Sequence, residues 1–244
     1  MQSPSTAAEP FSDQEIKDQF AAFVGAAEFP CLGAKAAFNA GARSVSVFDS
    51  LGSAQSAQPL AAALGNFLDC QRSRLSNYAT FVAIFREPRS LGEEEFELRL
   101  WHQLQQLHEI DRAAQNEWDR TVASDPADAR FSFSFAGRAL YVVGLHRGSS
   151  RLARRFSWPA LVFNPHEQFE RLRQDGKWRR MQAAIRQREV ALQGSVNPML
   201  SDFGEQSEAR QYSGRAVEEN WQPPFPVSPP DKSGKPGARC PFDH

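Results

Sequence analysis

Histidine is the residue type in this chain best suited to bind a metal or to move a proton near neutral pH. The chain contains five histidines: His102, His108, His146, His166 and His244. His108 follows Leu107 in a helical pattern, and Asp111 lies almost one turn further on. A neutral imidazole held by a carboxylate in this way is a common metal ligand. The same spacing also suits a core histidine that is satisfied by a hydrogen bond.

Two further histidines lie at the ends of predicted elements. His146 ends a predicted strand, where side chains emerge at the mouth of a loop. His166 lies near the start of a predicted helix, where the helix dipole disfavours the protonated imidazole. Each suits a metal ligand, and each also suits a surface or capping histidine. His102 is predicted on the solvated side of its helix, and His244 is predicted to be disordered.

Six arginines accompany these two histidines within residues 145–173: Arg147, Arg151, Arg154, Arg155, Arg171 and Arg173. If the segment that carries Arg151, Arg154 and Arg155 is helical, their side chains share one face. A guanidinium binds a carboxylate through two hydrogen bonds, so this face is a candidate for carboxylates of a substrate or of a cofactor. A solvated basic face is the alternative.

The charge balance argues against nucleic acid as a partner. Twenty-eight Lys and Arg residues against 29 Asp and Glu give a net charge of −1, whereas a nucleic-acid-binding domain is basic overall. No apolar run is long enough to cross a membrane, and the first ten residues do not resemble a secretion signal. Cys31, Cys70 and Cys240 are far apart, which predicts a protein of the reducing cytoplasm without a zinc knuckle or a disulfide scaffold. Cys31 is a candidate thiolate ligand, although a buried inert thiol is the favoured interpretation.

Several common catalytic signatures are missing from the sequence, namely G-x-G-x-x-G after a strand, G-K-[ST], G-x-S-x-G and H-E-x-x-H. Their absence argues against nucleotide-dependent chemistry, serine hydrolysis and zinc proteolysis. The chain has 19 Phe residues against 3 Tyr and 5 Trp. This composition indicates either a large apolar core or an apolar cofactor pocket.

The hydrophobic pattern predicts helices and strands that interleave along the chain. Ser12 and Glu15 form a capping box that starts a helix ending near Phe29. Further helices are predicted over 59–77, from Glu93 onward, from Pro165 with Asn164 as its cap, and over 177–193. Strands are predicted over 44–48, 80–85, 131–135, 139–143 and 160–163.

The F-S-F-S-F segment, the A-G-R turn and the strand over 139–143 predict a β-hairpin. We therefore expect an α+β fold, a single domain with a small mixed, partly antiparallel sheet packed by several helices. The expected organisation is a disordered leader over 1–10, the domain over 11–221 and a Pro-rich flexible tail over 222–244.

Seven stretches, in order along the chain, resemble the YqcI/YcgG family: F-P-C-L-G-A-K-A-A-F-N, W-H-Q-L-Q-Q-L-H-E-I-D, F-S-F-S-F-A-G-R-A-L-Y-V-V-G-L-H, S-S-R-L-A-R-R-F, L-V-F-N-P-H-E-Q-F-E-R-L-R, I-R-Q-R-E-V-A-L-Q-G-S-V-N-P-M-L and G-E-Q-S-E-A-R-Q-Y-S-G-R. The resemblance covers roughly residues 11–221. The sequence departs from the family pattern after G-L-H, where Arg147 stands in place of an expected proline.

The resemblance implies a heme-dependent N-oxygenase, because the family members with an assigned activity hydroxylate guanidine nitrogens. It implies a b-type heme, a small guanidine or amine substrate resembling arginine, and O2 or peroxide as oxidant. An electron-donor protein is a further partner that this chemistry admits, and the oligomeric state stays open.

The resemblance leaves the residues around the heme to be chosen. His108 is the first choice as iron ligand because its helix has an apolar face and a nearby carboxylate. His146 and His166 follow. Arg151, Arg154 and Arg155 are assigned to the heme propionates, and Asp111 and Glu167 to the cationic substrate.

Two alternatives to this enzyme belong to other classes of protein. One is a non-catalytic protein that binds heme or another small ligand in order to sense or store it. The other is a heme-free interaction protein that uses the basic face of 151–155 to bind an anionic partner.

Overall fold

A five-stranded mixed sheet forms the centre of the structure, a computed structural model that describes residues 11–72 and 78–226. The strands are β1 (Arg43–Ser50), β2 (Thr80–Glu87), β3 (Phe133–Phe135), β4 (Arg138–Leu145) and β5 (Ala160–Pro165). Their order in the sheet is β1-β2-β5-β4-β3. Only β1 and β2 are parallel, and the other neighbours pair antiparallel. The predicted α+β fold with a mixed sheet is confirmed.

The helices in the described ranges are α1 (Asp13–Gly25), α2 (Leu32–Asn39), α3 (Ala54–Arg72), α4 (Glu93–Ala113), α5 (His166–Gln174), α6 (Trp178–Gln193) and α7 (Ala209–Tyr212). The capping box predicted for the first helix is present, since Ser12 and Glu15 exchange hydrogen bonds at the start of α1. The parallel strands β1 and β2 are joined through α3, as a crossover connection requires. Within the same ranges, no helix is both long and apolar enough to cross a membrane.

Each face of the sheet has its own apolar cluster, because successive side chains along a strand alternate between faces. Phe81, Ala83 and Phe85 of β2 pack into a cluster with residues of α3 and α4. Val82 and Ile84 pack into a second cluster with residues of α1. We call these sides the α4 face and the α1 face.

The predicted hairpin is confirmed. Phe133 pairs with Leu140 and Phe135 with Arg138. The two turn residues, Ala136 and Gly137, have φ of 52° and 71°, as a two-residue turn that follows the twist of the strands requires. Strand β3 is shorter than predicted, because Phe131 forms an isolated bridge outside it.

Two predicted helix starts are wrong. Helix α3 begins at Ala54, before Pro59, because the Ser53 hydroxyl accepts a hydrogen bond from the Ser56 amide and caps an earlier first turn. The predicted end near Asn77 lies outside the described residues. Helix α5 has Pro165 at its N-cap and not Asn164. Asn164 stays in strand β5, opposite Tyr141 of β4, and its side chain donates to the Tyr141 carbonyl.

The packing of β4 against α4 can be tested at Gly144. A Cβ atom there would lie 2.6 Å from Phe96 Cε1 and 2.9 Å from Leu100 Cδ1. We expect Gly144→Ala to lower the free energy of unfolding by about 1–3 kcal/mol, because overpacking forces neighbouring side chains off their preferred rotamers. A Cβ atom added to Gly65 in α3 would have nothing within 4 Å. Gly65→Ala should therefore leave the free energy of unfolding unchanged or raise it by up to about 1 kcal/mol. Equal effects of the two substitutions in urea denaturation would contradict this packing.

Candidate functional site

A cavity with a volume of about 310 Å³ lies on the α1 face of the sheet. This volume is in the range of small-molecule binding sites. Val82, Val143 and Val162 of the sheet line it, together with residues of α1, α2, α5, α6 and the segment 197–211. Aromatic rings contribute much of the remaining wall: Phe20, Phe29, Phe38, Phe169, Trp178 and Phe203. The cavity is therefore mainly apolar and aromatic.

His166 lines this cavity and is 6% exposed. Strand β5 passes directly into α5 at this residue, so the end of the sheet fixes its backbone. Its Nε2 lies 3.4 Å from Oε1 of Glu208, and its ring makes an edge contact with Phe203 at 4.5 Å between centroids. Glu208 is also 6% exposed, and its second oxygen, Oε2, is buried without a hydrogen-bond partner in the described part of the chain. The pair forms a buried imidazole with a carboxylate beside it.

Arg154 is a second buried charge at the cavity and is 8% exposed. Its Nη1 donates to the carbonyl oxygen of Tyr212 at 2.9 Å and to that of Gly144 at 3.4 Å. Across residues 11–72 and 78–226 it forms no ion pair with a carboxylate. Burial lowers the pKa of Arg154, although Tyr141 and Glu189 oppose that shift. A guanidinium stays charged even so.

Arg151 and Arg155 lie in environments that differ from that of Arg154. The segment forms a 3₁₀ turn, Leu152–Arg154, and not an α-helix. Arg151 is buried and donates to Glu189 of α6 at 2.8 Å and to the Ser195 carbonyl at 2.8 Å. Arg155 is exposed and donates to the Ser149 carbonyl. The three arginines therefore do not form one basic face.

Tyr141 and Cys31 add polar groups to the cavity wall. The Tyr141 hydroxyl donates to Gln211 Oε1 at 2.9 Å. Burial raises the pKa of Tyr141 to about 12, and the charges of Arg154 and Glu208 shift it in opposite directions. Cys31 is a free cysteine at the N-cap of α2, where its Sγ accepts from the Ala34 amide. Burial raises the pKa of the Cys31 thiol, which favours the neutral thiol expected from the sequence over a thiolate.

The other two candidate iron ligands lie on the α4 face, outside the set of residues that line the cavity. His108 of α4 packs against Trp118 and Phe225, with ring centroids 5.5 Å and 5.7 Å away. His146 follows β4 and stacks on Phe96 at 4.2 Å. Burial lowers the pKa of both imidazoles, which favours their neutral form. Of the three candidates, the structure brings only His166 to the cavity.

The two carboxylates predicted to orient a substrate also lie elsewhere. Asp111 accepts hydrogen bonds from the Ala136 amide at 2.9 Å and from Asn116 at 2.8 Å, and burial raises its pKa. Glu167 is half exposed and pairs with Arg138 of β4. Neither residue lines the cavity, and their assigned role stays a prediction.

Sequence reasoning missed three polar residues of the site: Tyr141, Glu208 and Gln211. All three belong to stretches that carry the family resemblance, A-L-Y-V-V and S-E-A-R-Q-Y. A usable signal was present for two of them, since Glu208 and Gln211 are three residues apart and share one side of a helical turn. Tyr141 gave no such signal, because a tyrosine within an apolar strand is predicted to be part of the hydrophobic core.

The described part of the chain contains no group of three or more His, Cys, Asp or Glu side chains arranged to hold a metal ion. A site in which the protein supplies one ligand to a metal that is already held by a cofactor needs no such group. Among the described residues that line the cavity, His166 is the one histidine.

Comparison with known proteins gives one match. A family model described as the YqcI/YcgG family matches residues 20–226. The matched span is most of the 244 residues and includes every residue that lines the cavity. No curated protein and no solved structure matches the chain.

Proposed function

The chain belongs to the YqcI/YcgG family, and on this basis we propose that it is a heme-dependent oxygenase that hydroxylates a nitrogen of a guanidine or amine substrate. We place the heme in the cavity on the α1 face. The observation that carries the proposal is one buried imidazole, His166, with a carboxylate beside it in a cavity with aromatic walls.

The residues of the cavity fit a b-type heme in three respects. One axial histidine is sufficient for the iron of many heme proteins, and His166 supplies an imidazole. The rings of Phe20, Phe38 and Phe169 offer apolar surface for a porphyrin. Cationic side chains are present for the propionates.

Glu208 is suited to orient His166. A histidine that binds a metal nearly always contacts a carboxylate or a carbonyl through its other ring nitrogen, which fixes the ring and makes it a stronger ligand. The 3.4 Å contact between His166 Nε2 and Glu208 Oε1 can supply this partner. Glu208 would therefore act through His166 and not on the substrate.

Two arginines on the α5–α6 side of the cavity suit the propionates. Arg173 of α5 and Arg186 of α6 both line the cavity and are partly exposed. This location lets a carboxylate keep part of its hydration, which lowers the cost of burying it. Neither Arg151 nor Arg155 lines the cavity. Arg173 pairs with Glu170, but that pair is partly exposed, whereas Arg151 is buried in its pair with Glu189.

Bound heme would supply the activation of O2 or peroxide. The chain itself would hold the cofactor, exclude bulk water with its aromatic wall and hold the substrate nitrogen near the iron. The neutral side chains of Tyr141 and Gln211 would offer hydrogen bonds without adding charge. We place this activity in the cytoplasm, where the free thiols Cys31 and Cys70 would persist.

The proposal is tested in two steps with the full chain. Protein expressed with added heme should show a Soret band after purification, and its absence would overturn the proposal. The loaded protein is then incubated with arginine and related guanidines, either with hydrogen peroxide or with O2 and an excess of an added reductant such as ascorbate, which supplies the two electrons that reduce the second oxygen atom to water. A product heavier by one oxygen atom in mass spectrometry supports the oxygenase. A Soret band without product across a broad panel of amines and guanidines would favour the heme-binding or sensing alternative.

A further inference from the structure

Strand β1 lies at one edge of the sheet. Among the described strands it pairs only with β2, so one of its two sides has no strand beside it. The amide of Thr80 donates to the carbonyl of Ala42, and alternate residues of a strand direct their backbone groups to the same neighbour. The N–H and C=O groups of Val45 and Val47 therefore face the open edge.

The open edge of β1 lacks common forms of protection. Proteins often keep an edge strand short, or place lysine or proline in it, so that it does not pair with another chain. Strand β1 is eight residues long, R-S-V-S-V-F-D-S, and contains neither lysine nor proline. Its charges, Arg43 and Asp49, stand near its two ends, and residues 44–48 between them are partly exposed. A strand of this kind is suited to pair with a further strand.

The sequence of β1 is complementary to a second copy of itself. Arg43 and Asp49 are each three residues from Ser46. If two copies pair antiparallel about a twofold axis at Ser46, then Arg43 of one copy lies opposite Asp49 of the other. Val45 lies opposite Val47 of the other copy, and each such pair exchanges two backbone hydrogen bonds. Opposite charges that face each other across two strands stabilise the pairing, so the charges favour this register.

Both charges are available for this pairing. Arg43 and Asp49 are exposed, and neither forms an ion pair within residues 11–72 and 78–226. The guanidinium of Arg43 donates to the Phe38 carbonyl and lies 4.5 Å from the centroid of the Phe38 ring. That contact holds the arginine beside the edge, and a guanidinium has five N–H donors, enough to bind a carboxylate as well.

A groove with a volume of about 380 Å³ lies beside β1, between the strand, α1 and the end of α2. Arg43 and Val45 line it. Val45 and Val47 pack against the cluster on the α1 face, and alternate residues share a face, so Asp49 belongs to the same set. In the pairing about Ser46, Asp49 and Val47 of the second copy lie opposite Arg43 and Val45. The groove gives these two side chains room.

We propose that β1 is a dimerisation surface and that its partner is a second copy of this chain. Five strands from each copy then form one continuous sheet of a size that open, twisted sheets reach. The interface is isologous, as a twofold axis requires. The dimer is independent of the proposed function, because it requires no heme.

The first experiment measures the mass of the full chain by size-exclusion chromatography with light scattering. We expect the mass of two chains at high protein concentration. A monomer at every concentration at which the protein is soluble would overturn the proposal, and would leave the edge to a different occupant.

Cysteine cross-linking then tests the register. The two copies of Ser46 form a non-hydrogen-bonded pair on the axis, with Cα atoms about 4.5 Å apart, which is within reach of a disulfide. The two copies of Ser44 are separated by four residues along the strand, about 13 Å. We expect mild oxidation to give a covalent dimer of Ser46→Cys but not of Ser44→Cys. The unmodified protein reports any cross-link through the exposed Cys70. Equal cross-linking of the two variants would overturn the register.

Charge reversal tests the complementarity. Asp49→Arg places two arginines opposite each other at both ends of the interface, so we expect the dissociation constant of the dimer to rise by at least about tenfold. The double variant Arg43→Asp, Asp49→Arg exchanges the two charges and should restore the dimer. A dimer that Asp49→Arg leaves unchanged, or that the exchange does not restore, would contradict the pairing. Cross-linking of Ser46→Cys keeps both native charges, so it tests the proposal even if a charge variant does not fold.

Discussion

His166→Ala is expected to abolish the retention of heme, while His108→Ala keeps it. His166 lines the cavity and His108 does not. Replacement of a residue that merely orients a metal ligand lowers metal affinity about 10- to 100-fold, so loss of the ligand itself should cost at least about 100-fold. The measurement is a titration of each purified apoprotein with heme, followed by the Soret band.

Two controls separate loss of the ligand from loss of the fold. His102→Ala, on the exposed side of α4, should bind heme as the unmodified protein does. Imidazole added in solution should restore the band to His166→Ala, because the substitution leaves a space of the same shape. Loss of the Soret band in His108→Ala, together with its full retention in His166→Ala, would contradict this assignment. The iron ligand would then be His108, the first choice from the sequence.

Glu189→Ala is expected to destabilise the protein by about 3–5 kcal/mol, because it leaves the Arg151 guanidinium buried without a carboxylate. The side chains of this pair are 8% and 9% exposed. After the substitution, the Arg151 side chain keeps its hydrogen bonds to Ser195 but has no carboxylate partner within residues 11–72 and 78–226. For a chain of this size, such a loss lowers the melting temperature by about 6–20 °C, which differential scanning calorimetry measures directly.

The matched control is an ion pair at the surface. Glu95 and Arg99 of α4 pair at 2.9 Å with side chains 53% and 39% exposed. Glu95→Ala should cost less than about 1 kcal/mol, because water already screens both charges. Similar losses from Glu189→Ala and Glu95→Ala would mean that the Arg151–Glu189 pair is solvated in solution.

Local sequence rules correctly predicted the elements whose hydrogen bonds form between residues only a few positions apart. The capping box of Ser12 and Glu15 and the hairpin turn at Ala136 and Gly137 were both predicted, because each closes its own hydrogen bonds. The start of α3 was mispredicted for the same kind of reason. Both Ser53, as an N-cap, and Pro59, as a first helical residue, are signals for the start of a helix. The sequence does not show which of the two determines where α3 begins.

The site shows what local rules cannot reach. Helical spacing suggested one face for Arg151, Arg154 and Arg155, but the segment is a 3₁₀ turn. Arg151 donates a hydrogen bond to Glu189, which is 38 residues away along the chain. Arg154 donates to the carbonyl oxygen of Tyr212, which is 58 residues away. Partners so distant in sequence are brought together by the packing of α6 against the 3₁₀ turn and of α7 against β4, and no periodicity in the sequence predicts that packing.

The sequence by itself determined the α+β class, the hairpin, the family and the residue types available for chemistry, histidine and arginine. Only the tertiary structure decided which of them meet. Strand alternation places the α4 cluster on one face and the cavity on the other, so His108 and His146 are separated from His166 by the sheet itself. The alternation of residues along a strand shows which side chains share a face of the sheet. It does not show which helices cover that face. That is the physical reason why His166, and not His108, lies beside Glu208 in the cavity.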